Sequence, residues 1–351
     1  MLAWPNHTPA GLRLGVEYPP ADEPLAIATI VAGIEAIQKR ARARGGPMLR
    51  DAHARAQGCA RGTLTVDAGL PADLAVGLFA RPRSFPAIVR FSSSARVPAS
   101  DLEPDGRGLA VKLVGVPGPK LLGDATTHDL VMINHPVFFV RNARDYVDFV
   151  RAEQQGSQLP FFLGLRWPTR LRLHELLTGY RITHHPLRNP LDTTFFSMSP
   201  SLIGAKSAPG AVKFSMTPCA ARDEAPAPSG PDTLRTAIAA RLAAGEGCFV
   251  LRLQRQVDPQ AMPIEDPTIE WPEALSRWVP VGRLVIPRQP FGDAASLARC
   301  DALSFSPWHA LPEHRPLGGI NRVRRAVYLA ISRLRHQDGG LPEVEPTRVE
   351  P

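Results

Sequence analysis

Eight short apolar segments, each bounded by Gly or Pro or by long polar connections, limit what this chain can fold into more than any other feature. They are Gly62–Ala68, Pro86–Ser93, Leu109–Val116, His128–Asn134, Thr194–Ser199, Ala211–Thr217, Cys248–Gln256 and Val279–Ile286. Most are rich in Val, Ile, Leu, Phe and Thr, the residues that suit a pleated, half-buried surface. An open sheet of that many strands carries unpaired backbone groups along two edges, and closure removes both. The expectation is therefore a closed barrel.

The connections between these segments carry helices. Ile27, Ile30, Val31, Ile34 and Ile37 recur at helical spacing within Leu25–Arg44, and Gly45-Gly46-Pro47 ends that helix. Ala143–Gln154, Leu171–Tyr180 and Asp232–Ala244 read as further helices, the last with Asp232 as N-cap and Gly245 as C-cap. The strongest helix is Asn321–His336, with Ile320, Val323, Val327, Ile331 and Leu334 as its apolar stripe. Arg324, Tyr328 and Arg335 stand one and two turns apart on an adjoining face. The fold class is thus α+β, a barrel with surrounding helices. Residues 1–46 form an arm and a helix, 47–336 one domain, and 337–351 a polar, Pro-rich tail expected to fray. Ala220–Pro231 reads as a surface loop.

Charge and composition narrow the function classes. The chain has 351 residues and a net charge of +8, and its basic side is nearly all Arg. These arginines are scattered rather than gathered in runs with interleaved aromatics, which argues against a nucleic-acid partner. Guanidinium groups clamp carboxylates bidentately, so an anionic ligand near Arg322–Arg335 fits the pattern. The longest apolar stretch, Leu25–Ile34, is too short to span a bilayer. The first residues lack the basic start and apolar core of an export signal, which points to the cytoplasm. Cys59, Cys219, Cys248 and Cys300 form no CxxC pair and read as reduced structural thiols. No GxxxxGK is present and no GxGxxG follows a strand, so no nucleotide loop is expected. His184, His185, His309 and His314 lack metal-ligand spacing and read as loop residues.

Four motifs add chemistry: Arg50-Asp51-Ala52-His53-Ala54-Arg55-Ala56-Gln57-Gly58, Val89-Arg90-Phe91-Ser92, Asp105-Gly106-Arg107-Gly108-Leu109-Ala110-Val111-Lys112, and Asp129 to Phe139. In this order, with ArgxxxTyrxxxxxxArg on the late helix, they resemble the haem catalase superfamily and its compact, catalase-related members. The likeness is strong over 48–150, follows the pattern over 278–336 and is thin between. It implies an eight-stranded antiparallel barrel of catalase type around a ferric haem b, with the C-terminal helix ligating the iron.

The roles carry over residue by residue. His53 matches the distal histidine and Ser92 the serine that orients it. Arg50, Arg90 and Arg335 match propionate arginines, and Tyr328 the iron ligand with Arg324 as its partner. Phe138 and Phe139 match pocket walls, and Asp105 the substrate-channel aspartate. Tyr ligation is the catalase pattern. A phenol with an ordinary pKa of about 10 must lose its proton to bind ferric iron, and a guanidinium one turn away favours that. A neutral histidine can take the proton from a peroxide and return it to the leaving oxygen near neutral pH.

Two departures qualify the resemblance. Where the family has two asparagines and a threonine before the proline, this chain has Ile133-Asn134-His135. Aligned on Pro136-Val137-Phe138-Phe139, the distal asparagine falls on Ile133; Asn134 or His135 serves as donor only if the strand shifts register. The family's Gly-aromatic-Gly-Ser-His run is replaced around Phe195-Phe196-Ser197, which argues against NADPH. The leading reading is a haem enzyme consuming hydrogen peroxide or an organic hydroperoxide. The alternatives are a lipid-hydroperoxide isomerase or peroxygenase on the same fold, and a haem-binding or sensing protein with little turnover. The sequence leaves a homo-oligomer open.

Overall fold

The computed structural model describes residues 11–46, 48–123, 125–164, 171–204, 209–220, 229–342 and 344–349. Nine strands form one antiparallel sheet: β1 Arg55–Val66, β2 Arg83–Ser93, β3 Arg107–Leu113, β4 His128–Ile133, β5 Phe195–Phe196, β6 Ser201–Ile203, β7 Gly210–Pro218, β8 Gly247–Arg255 and β9 Val279–Ile286. Their order is β5-β4-β3-β2-β1-β9-β8-β7-β6, and β5 also pairs with β7, which closes the ring. β5 and β6 lie end to end along one edge of β7: Phe196 faces Ser215, and Ser201 faces Val212. They fill one stave, so the barrel has eight, as expected. The break between them holds Met198 at φ 60° and Pro200, which has no N–H to donate.

Alternation sets the two faces of the barrel. Phe91, Leu109, Met132, Phe195, Met216 and Leu251 fill its interior. The residues one step along point outward, and Ser92, Gly108, Ile133 and Phe196 stand side by side across β2, β3, β4 and β5. Helices cover part of this outer surface. α1 Glu23–Ala43, α2 Ala143–Gln154 and α7 Gly319–Arg333 pack together through Ile30, Ile34, Val147, Val150, Val323 and Val327. The apolar stripe expected on the last helix is the face it buries. Among the described residues the other α-helices are α3 Leu159–Leu163, α4 Leu173–Thr183, α5 Thr233–Ala244 and α6 Ala294–Ala302.

Several expectations need correction. The four cysteines are not free thiols: Cys59 pairs with Cys300, and Cys219 with Cys248, at Cα separations of 5.5 and 5.4 Å. Strand and helix neighbours bring them together, and spacing along the chain carries no trace of that. Disulfides persist in oxidising compartments, so cysteine usage lends a cytoplasmic location no support. The tail does not fray throughout. Val344 bridges to Leu303, and Glu345 reaches the buried Lys112 at 3.6 Å. β1 starts at Arg55 rather than Gly62, because pairing with β2 extends it, through a bulge at Ala56/Gly58, into residues of low strand preference. The loop assigned to 220–231 falls largely outside the described residues. No helix among the described residues is long and apolar enough to cross a membrane.

Candidate active site

His53 sits in the turn that leads into β1. Its backbone is left-handed, φ 57°, a conformation unusual for a residue with a side chain. The turn is pinned by His53 N–H donating to Ser94 O at 3.0 Å and by Arg90 Nη2 donating to His53 O at 2.8 Å. The result is an imidazole laid against the outer face of β2 and β3. Its Nδ1 lies 3.0 Å from Ser92 Oγ. Gly108 leaves the room for it: a Cβ there would stand 2.5 Å from the ring and 2.7 Å from Ser92 Oγ. Burial, and then the guanidinium groups of Arg90, Arg324 and Arg50, push the His53 pKa down to about 3. At neutral pH the ring is uncharged; in the tautomer whose Nδ1–H donates to Ser92 Oγ, Nε2 carries the free lone pair of a base.

The arginines converge on the same place. Arg50 donates to Asp301 Oδ1 at 2.9 Å and to Leu303 O at 2.6 Å, and Arg335 donates to Asp301 O. Burial lowers the pKa of Arg90, and the charges of Arg50 and Arg335 lower it further. Burial and Arg50 pull Arg335 down to about 9. Among the described residues Asp301 is the one carboxylate facing this trio, and Arg90 Nε is buried without a partner. Buried cations of one sign are costly unless an anion joins them. On α7, Arg324 donates to Asn321 Oδ1 at 3.1 Å and reaches Tyr328 Oη at 3.4 Å. Tyr328 also lies within the electrostatic reach of Arg90, which links α7 to the strand face.

The wall beyond His53 is apolar. Ile133 packs with Ile182, Met198, Phe138 and Phe139, and the two phenylalanine rings are 4.8 Å apart. Because Gly108 pairs with both Ser92 and Ile133, Ile133 is the β4 residue on the His53 side. Asn134, read as a candidate donor, is one step further and on the alternate face. Its Oδ1 accepts from Arg107 N–H at 2.7 Å, and its own N–H donates to Arg107 O at 2.9 Å. The register shift that a catalytic Asn134 requires is absent. His135 turns back on Val137 N–H, 3.4 Å from its Nδ1. Asp105 accepts from Ser94 Oγ and from Ala95 N–H at 3.1 Å, and its neighbour Gly106 lies against Ile182. His314 is not a loop residue but buried, accepting from Leu78 N–H at 2.9 Å.

With the geometry in place, comparison with known proteins is informative. Residues 30–160 match the family model for catalase. The match covers 131 of the 351 residues and includes His53, Arg90, Ser92 and Ile133. A fungal catalase superposes with a TM-score of 0.66 at 18% identity, covering 98% of this chain and 70% of that one. A bacterial catalase gives 0.62 at 18%, covering 90% and 64%. The chain thus spans about two thirds of the length of these catalases, and at that identity they establish the fold alone. Sequence reasoning missed Asp301, Ile182 and Met198, which are remote in sequence from every motif. It quoted Gly108 only as part of a strand; the Ser92–His53 contact is the signal that marks it.

The donor set fits haem. An excess of guanidinium over carboxylate, with Arg90 Nε left unpaired, suits a dianionic group. A tyrosine with a neighbouring arginine suits a ferric ion.

Proposed function

We propose that the chain is a haem-dependent enzyme that consumes hydroperoxides. Tyr328 would hold the iron, with Arg324 Nη2 3.4 Å from its Oη. Arg50, Arg90 and Arg335 would hold the propionates. When bound, haem supplies the redox-active iron at which a peroxide O–O bond is cleaved. The single observation that carries this reading is the convergence of a neutral, Ser92-tethered His53 with Arg50, Arg90, Arg324 and Tyr328 on one buried site.

The chain's own part is proton handling and exclusion of water. His53 Nε2 would take the proton from one oxygen of the hydroperoxide and return it to the oxygen that leaves as water or an alcohol. Ser92 keeps the ring in place during both transfers. Ile133, Ile182, Phe138 and Phe139 keep the space beside His53 dry.

Ile133 favours a more specific version. An alkyl side chain at that place donates no hydrogen bond to hydrogen peroxide, and it offers apolar surface to an alkyl or aryl hydroperoxide, worth about 25 cal/mol per Å² buried. We infer that organic hydroperoxides are consumed better than hydrogen peroxide. The test is the absorption spectrum of the haem-loaded protein, before and after peroxide, beside Tyr328→Phe. The variant is expected to lose the phenolate charge-transfer bands and most of its haem. A variant with the spectrum of the natural chain overturns the assignment.

A further inference from the structure

α4 is mounted inside out. Its apolar stripe, Leu173, Leu176, Leu177 and Tyr180, recurs at helical spacing, yet these side chains are 54%, 40%, 54% and 58% exposed. The face it buries carries Glu175, Thr178 and Ile182. Glu175 is turned inward toward Arg141 at 3.8 Å. A single exposed Leu needs no explanation; a continuous stripe on one helix does. α3 extends the patch. It lies against α4 through Phe162, 3.8 Å from where a Cβ on Gly179 would be, and exposes Leu159 and Leu163.

We propose that this face rests on the surface of an anionic lipid bilayer, and that it delivers acyl-chain hydroperoxides to the His53 site behind it. The second half rests on the organic-hydroperoxide reading above. Charge favours a membrane over another protein or a second copy. The ionisable side chains exposed on α4 and just after it are Arg181, His174, His184 and His185, with no exposed carboxylate among them. Arg172, at the start of the helix, is already paired with Asp145 and Asp148. Basic residues beside an exposed Leu-rich stripe are the pattern of a helix lying in the interface plane. A two-fold contact between copies would bring Arg181 toward a face that offers it no exposed carboxylate. Leu is also under-represented among the anchors of protein–protein contacts.

Continuity with the site gives the surface a purpose. Ile182, on the inner face of α4, belongs to one apolar cluster with Ile133 and Met198, against which Phe138 and Phe139 pack. One helix thickness separates the exposed stripe from the apolar wall beside His53. Gly106, next to Asp105, lies against Ile182 as well. A hydroperoxide borne by lipid chains would thus meet apolar side chains on both faces of α4.

The experiment is co-sedimentation of the whole haem-loaded chain with vesicles of phosphatidylcholine, with and without phosphatidylglycerol. The natural chain is expected to pellet with the phosphatidylglycerol vesicles and to be released at high salt. The double substitution Leu176→Glu with Leu177→Glu should lower the partition constant about a hundredfold, the scale set by withholding two Leu side chains from an apolar phase. These positions are exposed, and an unchanged melting temperature and unchanged turnover of soluble cumene hydroperoxide would show an intact fold. Failure of the natural chain to bind either vesicle overturns the proposal. So does a dimer in sedimentation that the double variant dissociates, because the stripe is then a subunit contact. Vesicle binding without consumption of vesicle-borne lipid hydroperoxide, in an enzyme that consumes cumene hydroperoxide, upholds the surface and overturns the delivery route. Vesicle binding with no hydroperoxide turnover of any kind upholds the surface and refutes the functional reading instead.

Discussion

The two halves of the candidate site are held together by different physics. The His53 half is built on the barrel's outer face, where ladder pairing sets Ser92, Gly108 and Ile133 side by side. Its geometry follows from strand register and from one left-handed turn. The Arg–Tyr half hangs on α7 and on Asp301, which is far from both Arg50 and Arg335 in sequence. There the chain collects cations and leaves them short of anions. One half is finished by the fold; the other is left to the anionic group proposed above. The disulfide between Cys59 and Cys300 joins the two, since Cys300 immediately precedes Asp301 and Cys59 lies in β1 just past His53.

This contrast predicts that damage to the His53 half spares haem loading and removes chemistry. His53→Ala should lower hydroperoxide turnover by about 10²–10⁴, the range for a positioned proton-transfer group, with the haem spectrum nearly unchanged. Equal loss of haem and of turnover would break the contrast. Ile133→Asn should act in the opposite direction. A donor restored beside His53 should raise oxygen release from hydrogen peroxide by about 10²–10³, while consumption of cumene hydroperoxide falls. A slower release would mean that another residue already supplies the donor.

Gly108→Ala probes the same half by sterics alone. Its methyl group would stand 2.5 Å from the imidazole, so His53 must move, at a cost of about 1–3 kcal/mol. A loss of about tenfold or more in turnover is expected, again with haem retained. Turnover equal to that of the natural chain would show that the ring is less closely seated than the geometry indicates.

The smallest effect concerns acid stability and treats the barrel as a control. His128 and His314 pack edge to face, 5.6 Å between ring centroids, and burial pushes their pKa values down to about 3 and about 4. Unfolding restores an ordinary value near 6.5, so the unfolded chain binds these protons first. The stability they contribute is full above pH 6.5 and is lost as pH falls toward 4 and 3. At pH 5 each costs about 2 kcal/mol. Melting temperatures of the natural chain and of His128→Gln between pH 7 and 5 should converge as the pH falls. A pH-independent difference would remove titration from the account.

Much of this was legible in the residues. The strands announce themselves by composition and by Gly and Pro at their ends. The stripe Ile320, Val323, Val327 and Ile331 gives α7 its buried face. The motifs around His53, Arg90 and Tyr328 single out the residues of the proposed site, because a distal base, propionate cations and an iron ligand would need those side chains. All of this is local information, carried by spacings of a few residues.

The tertiary structure decided what local spacing leaves open. Whether Ile133 or Asn134 faces His53 depends on strand register, and a slip of one residue exchanges the two faces. The pairing of Cys59 with Cys300 spans 241 residues and belongs to the packing of α6 on β1. Asp301 joins the arginines for the same reason. The inside-out setting of α4 ran against its own pattern, which by itself assigns Leu173, Leu176 and Leu177 to a core. Short-range preference selects which elements form; only the competition among all apolar faces for one interior decides which of them go without.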